Sequence, residues 1–358
     1  MGLLTSAMAA GNLIGAIPAG RFIQKKGLLR ALICCFLLAP CIFSVRAIVL
    51  AFPFQLVLAI LAGMVLSLWA VCISPTVAHT TNEQQRPFAF SLVFSLGIGV
   101  GALGGLAGSR LPGWFVSFHS MALRLAPDQM TLLFACSITA CAIVPAARLS
   151  FSSIDLPAQT RPLLSPFLRR FLPAVAIWAL VTGSFSPFAT VYFARHLHMP
   201  LRSIGTVFTV SQSAQVLAVL AVPFLFRRFG LIHGIVFTQL AACLCLCLLA
   251  IVGSPLTAAA IYVGLTAFQW MNEPGLYSLL MGNVPAEQRG GASASNSLVM
   301  SVSQLIAAAL AGWVFDRYGY PSALFGIALI ALLAAGFFRG AMGGSQMRTT
   351  HVVEETSQ

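Results

Sequence analysis

Glu273 is the residue of this chain whose setting most demands a chemical explanation. Seven of the eight acidic residues, Glu83, Asp128, Asp155, Glu287, Asp316, Glu354 and Glu355, fall in segments that the apolar pattern leaves as loops or tail. Glu273 instead lies in Trp270-Met271-Asn272-Glu273-Pro274-Gly275, inside an apolar run from Leu256 to Met281. It stands about eight residues from one end of that run, roughly 12 Å along a helix axis. A carboxylate at that depth in hydrocarbon is protonated, paired or turned to a wet cavity. The chemistry open to it is proton exchange or binding of a cation, with a structural hydrogen bond to a neighbouring helix as the plain alternative. Pro274 withdraws a backbone donor and frees a carbonyl nearby, either for a polar ligand group or as a simple kink.

Helical spacing gives Glu273 its companions. Thr266, Gln269, Trp270 and Tyr277 share its broad face at steps of three and four. Trp178, Thr182 and Ser186 cluster likewise on an earlier run, Gln212 falls on a stripe with Thr209 and Gln215, and Asn296 on one with Ser293, Ser297 and Gln304. One carboxylate among aromatics and amides suits a neutral or cationic organic solute better than a multiply anionic one.

The elements that position these residues must be membrane helices. The chain is 59% hydrophobic and 8% charged, with a mean hydropathy of +0.92, against about 25% charged in soluble domains. Apolar runs recur from end to end, too long and without the alternation of barrel strands. They are expected at about 3–20, 28–50, 52–78, 88–111, 130–148, 171–193, 204–226, 231–252, 256–281, 292–314 and 321–338, eleven crossings of an all-α membrane protein. The segment 112–129, with Trp114, Phe115, Phe118 and Met121, is expected as an outward loop or short interfacial helix.

The net charge of +12 reports topology rather than nucleic acid, because the 20 Lys and Arg lie almost entirely in the breaks between runs or at their ends. Sorting loops alternately places 14 basic residues on one face and six on the other, which makes the first face cytoplasmic. The C-terminus then lies inside, and the membrane expected is a bacterial inner membrane. All nine cysteines fall within apolar runs and read as reduced, buried small hydrophobes. No Walker loop, dinucleotide fingerprint or His-Glu-x-x-His is present, and no two catalytic-type groups fall together, so neither an enzyme nor a cofactor or metal is expected.

Self-comparison finds two parallel copies. Gly63 and Trp69 match Gly264 and Trp270, Arg86 matches Arg289, Lys26-Gly27 matches Phe229-Gly230, and Ala107-Gly108 matches Ala311-Gly312, all at offsets of about 203. The organisation expected is a first bundle over 1–148, a cytoplasmic linker over 149–170, a second bundle over 171–339 and a disordered cytoplasmic tail over 340–358. The run at 171–193 has no partner in the first copy. The repeat therefore predicts five helices against six, a missing first helix, and Gly11, Gly15, Ala19 and Gly97 turned toward lipid or an open groove.

The stretch Gly20-Arg21-Phe22-Ile23-Gln24-Lys25-Lys26-Gly27-Leu28-Leu29-Arg30, together with the duplicated bundles, resembles the major facilitator superfamily of secondary transporters. That family's loop reads Gly-x-x-x-Asp-Arg-x-Gly-Arg-Arg. Gly20, Gly27 and Lys25 fit the pattern, Gln24 replaces its Asp, and Leu28 and Leu29 replace its trailing basic pair. The resemblance implies two bundles around a central cavity, gating roles for Gly20, Lys25, Gly27 and Arg86, and alternating-access transport by a monomer. The partners it implies are a small-molecule substrate, protons and membrane lipids, with no nucleic acid. The glycines of the fourth run, Gly97, Gly99, Gly101, Gly104, Gly105 and Gly108, are similar to a glycine-rich motif of exporting members. Proton-coupled export is the first expectation. An uptake symporter for a neutral metabolite and a non-transporting receptor or pseudo-transporter are the alternatives.

Overall fold

The computed structural model describes residues 2–118, 125–149 and 165–355, and these are almost entirely helical. The helices are α1 (Gly2–Lys26), α2 (Leu28–Ile48), α3 (Phe52–Thr80), α4 (Arg86–Phe118), α5 (Pro127–Cys141), α6 (Ile143–Ala147), α7 (Pro166–Phe185), α8 (Ala189–Val191), α9 (Leu201–Phe229), α10 (Leu231–Ile251), α11 (Pro255–Asn283) and α12 (Arg289–Glu355). Among the described residues eight helical stretches are long and apolar enough to cross a bilayer. α1 and α11, of 25 and 29 residues, are also of spanning length. The stretch Ala286–Gly343 is two helices divided at Gly319, where φ is 75°. These together make the eleven crossings expected, and the molecule is an all-α membrane protein.

Helices are obligatory here because hydrocarbon offers no partner for a free backbone N–H or C=O. The chain can turn only where few such groups are exposed. Gly27 and Gly230 do this with one residue each, at φ 85° and 78°, a region closed to most side chains. The repeat shows in the helices beyond these two glycines. α2 and α10 are both 21 residues long, and α3 and α11 are both 29.

The contacts gather into two compact units: 1–80, 100–163 and 284–298 form one, and 81–99, 164–283 and 299–358 the other. In the first, α1 lies along α3 through small residues. A Cβ on Gly11 would strike the Ile60 carbonyl, one on Gly15 would lie 2.8 Å from Met64 Cα, and one on Gly63 would strike the Met8 carbonyl. Ala19, Ile23, Leu28, Ala31, Leu32, Val71 and Cys72 close a core with Ala294 from the first turns of α12. In the second unit, α9, α10 and α11 pack on one another. α7 meets α12 at Gly183, where an added Cβ would sit 2.6 Å from Gln304 Cα.

Several expectations are corrected. Gly11, Gly15 and Ala19 face α3 and the first unit's core rather than lipid or a void, because glycine on both α1 and α3 lets the two backbones approach. Gly97, by contrast, has the open space expected beside it, as do Gly101, Gly104, Gly105 and Gly108 of α4. α1 continues through Arg21 and Lys25 to Lys26, since nothing breaks it before Gly27 and basic residues suit a helix C-terminus. α4 runs on through Pro112 to Phe118 in place of an interfacial element, with Met121 outside the described residues. α7 starts at Pro166 rather than at 171, because the Ser165 hydroxyl accepts from the Leu168 N–H at 3.3 Å and proline is pre-set for the first turn. It also stops at Phe185, where a 3-10 turn at Ser186–Phe188 and a π turn at Tyr192–His196 carry the chain on. Residues 340–355, expected as disordered, continue α12 to Glu355, since extending a helix costs far less than starting one and no proline follows Pro321.

The α1–α3 contact gives a test. Gly63→Val should lower stability by about 2 to 3 kcal/mol, an overpacking cost, whereas Gly97→Ala, in open space, should change it by at most a few tenths in the unfavourable direction. Thermal unfolding of both variants in one detergent is the measurement, and equal melting temperatures would remove the contact's importance.

Candidate functional site

α11 is the element on which the candidate site is built. Its residues divide by what they touch. Thr266 is buried, and its Oγ1 lies 2.6 Å from Ser211 Oγ of α9, which in turn accepts from Gln215 Nε2 at 3.0 Å. Asn272 is fully buried and donates to the Ile235 carbonyl at 3.2 Å and to Thr238 Oγ1 at 2.9 Å, both on α10. Gly275, one residue past Pro274, lets α10 close in: an added Cβ would stand 2.7 Å from Ile235 Cγ1 and from Phe226 Cζ of α9. Tyr277 lays its ring against Phe90 and Phe94 of α4, at centroid distances of 5.8 and 5.4 Å.

Glu273 lies between these contacts and shares none of them. It is half-buried, and no described residue bonds or pairs with its carboxylate. Gln269 and Tyr277 stand one turn to either side of it on the same helix. Gln269 is buried and Trp270 is 37% exposed. A carboxylate without a fixed partner, flanked by an amide and a phenol, can take up a proton or face a cation, and it has no local cation to neutralise it.

The other expected residues distribute unevenly. Thr182 on α7 accepts from Gln304 Nε2 at 3.3 Å and donates to the Ala179 carbonyl at 3.2 Å. Ser186 is exposed and opens the 3-10 turn after α7, and Gln212 is exposed on α9. Trp178 is fully buried with an indole N–H that has no partner, so it packs inside the second unit rather than lining open space. Asn296 is buried and belongs to the first unit.

The gating set also divides. Lys25 is exposed at the end of α1, one turn after Gly20. Gly20 packs against α12, where an added Cβ would be 2.7 Å from Ala294 Cβ. Arg86 starts α4 and is 5% exposed, its Nε unbonded and its Nη1 3.5 Å from where a Cβ on Gly282 would lie. A loop cation is the expectation there, and a buried guanidinium against the end of α11 is observed. Sequence spacing misses Asn272 and Ser211, whose roles are set by partners on other helices. Their only sequence signal is polarity inside apolar runs.

The helices, the duplicated half-chain and a polar strip on α11 define a polytopic helical membrane protein. Residues 171–346 match the model of the Major Facilitator Superfamily. Solved structures of the same fold include the fucose:proton symporter FucP of E. coli, 17% identical, with a TM-score of 0.76 over 95% of this chain and 90% of that one. A bacterial homologue of the iron transporter ferroportin in an outward-facing state is 14% identical, with a TM-score of 0.72 over 95% and 89% of the two chains. The proton:xylose symporter XylE bound to 6-bromo-6-deoxy-D-glucose is 12% identical, with a TM-score of 0.76 over 94% and 84%. Among curated proteins none matches the chain in sequence. The second half of the chain thus resembles the Major Facilitator Superfamily in sequence, and the chain shares the fold of these solved transporters.

The Asn272 bonds give the site's own prediction. Asn272→Ala should cost about 1 to 3 kcal/mol, the usual loss for buried hydrogen bonds whose partners remain. A melting curve unchanged from the parent protein would show that α10 and α11 are held by apolar packing alone.

Proposed function

We propose that this protein moves a small neutral or cationic organic solute across the membrane by alternating access, with Glu273 as the group that couples the movement to protons. The observation that carries the reading is the half-buried Glu273 carboxylate, which has no bonded partner among the described residues. A fixed structural acid would be expected to hold a hydrogen bond or an ion pair. Gln269, Trp270 and Tyr277 supply a donor, an aromatic face and a hydroxyl within one turn of it. Thr182, Ser186, Gln212 and Asn296 are proposed as further contacts of the solute, and Lys25 and Arg86 as gating residues. The two sequence halves, 1–148 and 171–339, are proposed as the moving bodies, joined by 149–170.

Exchange is the favoured mode. A proton and a cationic solute cannot both neutralise one carboxylate, so the arrival of one displaces the other. That competition yields antiport, hence export where the outside is more acidic. Open space beside most of the α4 glycines removes the other argument for export, and the direction rests on Glu273. The positive-inside bias supports a cytoplasmic C-terminus. Symport of a neutral solute is the second reading, favoured by the two proton symporters among the similar folds.

Proteoliposomes with an imposed pH gradient separate the two. Antiport predicts that a lipophilic cation accumulates in vesicles whose lumen is acidic, with Glu273→Gln reducing that accumulation at least about tenfold while the protein stays folded. Accumulation of a sugar in the direction of proton flow would establish symport instead. Full coupling in the Glu273→Gln protein would remove Glu273 from the mechanism.

A further inference from the structure

A second polar feature lies wholly inside the first unit. α2, α3 and α5 enclose a cavity of about 540 Å³, lined by Ala39, Pro40, Phe43, Arg46, Leu66 and Leu132 among others. Its volume falls within the roughly 300 to 1,000 Å³ usual for small-molecule sites. Its walls are apolar over most of their length, and Leu132 at 54% exposure marks an open side. In a chain whose helices span a bilayer, an open apolar side meets acyl chains.

One end of this cavity carries a charge. Arg46, in the last turn of α2, donates from Nε to Gln55 Oε1 at 3.3 Å, and Phe43 lies 5.5 Å from its guanidinium carbon. Nη1 makes only a 4.0 Å contact to the Met8 sulfur, a weak acceptor. No described acid pairs with this guanidinium. Gln55 is itself fixed, its amide nitrogen donating to the Arg46 carbonyl at 2.6 Å and to the Val49 carbonyl at 2.5 Å. The guanidinium is therefore held at the cavity rather than left to swing toward water as a surface arginine would.

We propose that this cavity is a binding site for an anionic phospholipid, whose phosphate pairs with Arg46 while one acyl chain lies along Pro40, Leu66 and Leu132. A free cation at one end and apolar walls at the other match an anionic amphiphile. Guanidinium presents forked donors suited to phosphate. The phospholipid is chosen over a soluble anion because the open side faces the bilayer, where lipid is the solvent.

Native mass spectrometry of the full chain in detergent tests this, with phosphatidylglycerol, phosphatidylcholine and oleate offered separately. Phosphatidylglycerol should be retained at least about tenfold better than phosphatidylcholine, a preference that Arg46→Ala abolishes. Ala135→Phe, which narrows the cavity from an exposed position and leaves Arg46 in place, should also displace the lipid. Circular dichroism melting confirms that both variants are folded. Equal retention of the two phospholipids, preference for oleate, or an Arg46→Ala protein that keeps its phosphatidylglycerol would each overturn the assignment.

Discussion

Every feature of this molecule follows from one constraint, that a backbone in hydrocarbon must satisfy its own hydrogen bonds. It forces the chain into helices long enough to cross, and it makes the joints between them the difficult places. The chain resolves two of these joints with a single glycine at positive φ, Gly27 and Gly230. Beyond these two glycines the two copies carry matching 21- and 29-residue helices.

The same constraint sorts the polar side chains. A polar group in a membrane helix is costly unless it is bonded, and two of those on α11 are bonded to neighbouring helices. Thr266 is joined to α9 and Asn272 to α10. Glu273, the acidic residue of α11, has no bonded partner among the described residues. A catalogue of polar residues alone would rank all of these together. Their hydrogen-bond partners separate Thr266 and Asn272, which hold helices together, from Glu273, which does not.

The sequence is legible where periodicity and punctuation agree. The ends of α2, α3 and α10 can be read to within about two residues, because glycine or a change of hydropathy marks them. The half-chain repeat is readable from Gly27 and Gly230 for the same reason. The continuation of α1 to Lys26, of α4 past Pro112 and of α12 to Glu355 is not, since charge and proline look like ends in a sequence but a helix tolerates them at its margins. The glycines of α1 mislead because a bare helix face looks the same whether it awaits a neighbour or already has one. Gly11 and Gly15 find theirs in α3. The α4 glycines, read the other way, have open space beside most of them. That Trp178 is sealed inside the second unit is not readable, because aromatic type and spacing do not reveal which face of a helix is covered.

Asn272 precedes Glu273 directly, and its amide grips a backbone carbonyl and a hydroxyl on α10. α11 therefore cannot roll about its own axis near the carboxylate without tearing a buried bond. Any displacement of Glu273 must carry α10 with it, so the two helices travel as a geared pair. The carboxylate's footing is thereby tied to α10. Just beyond that footing, Pro274 lies inside the helix and Gly275 lies against Ile235, so α10 and α11 stay close along this turn.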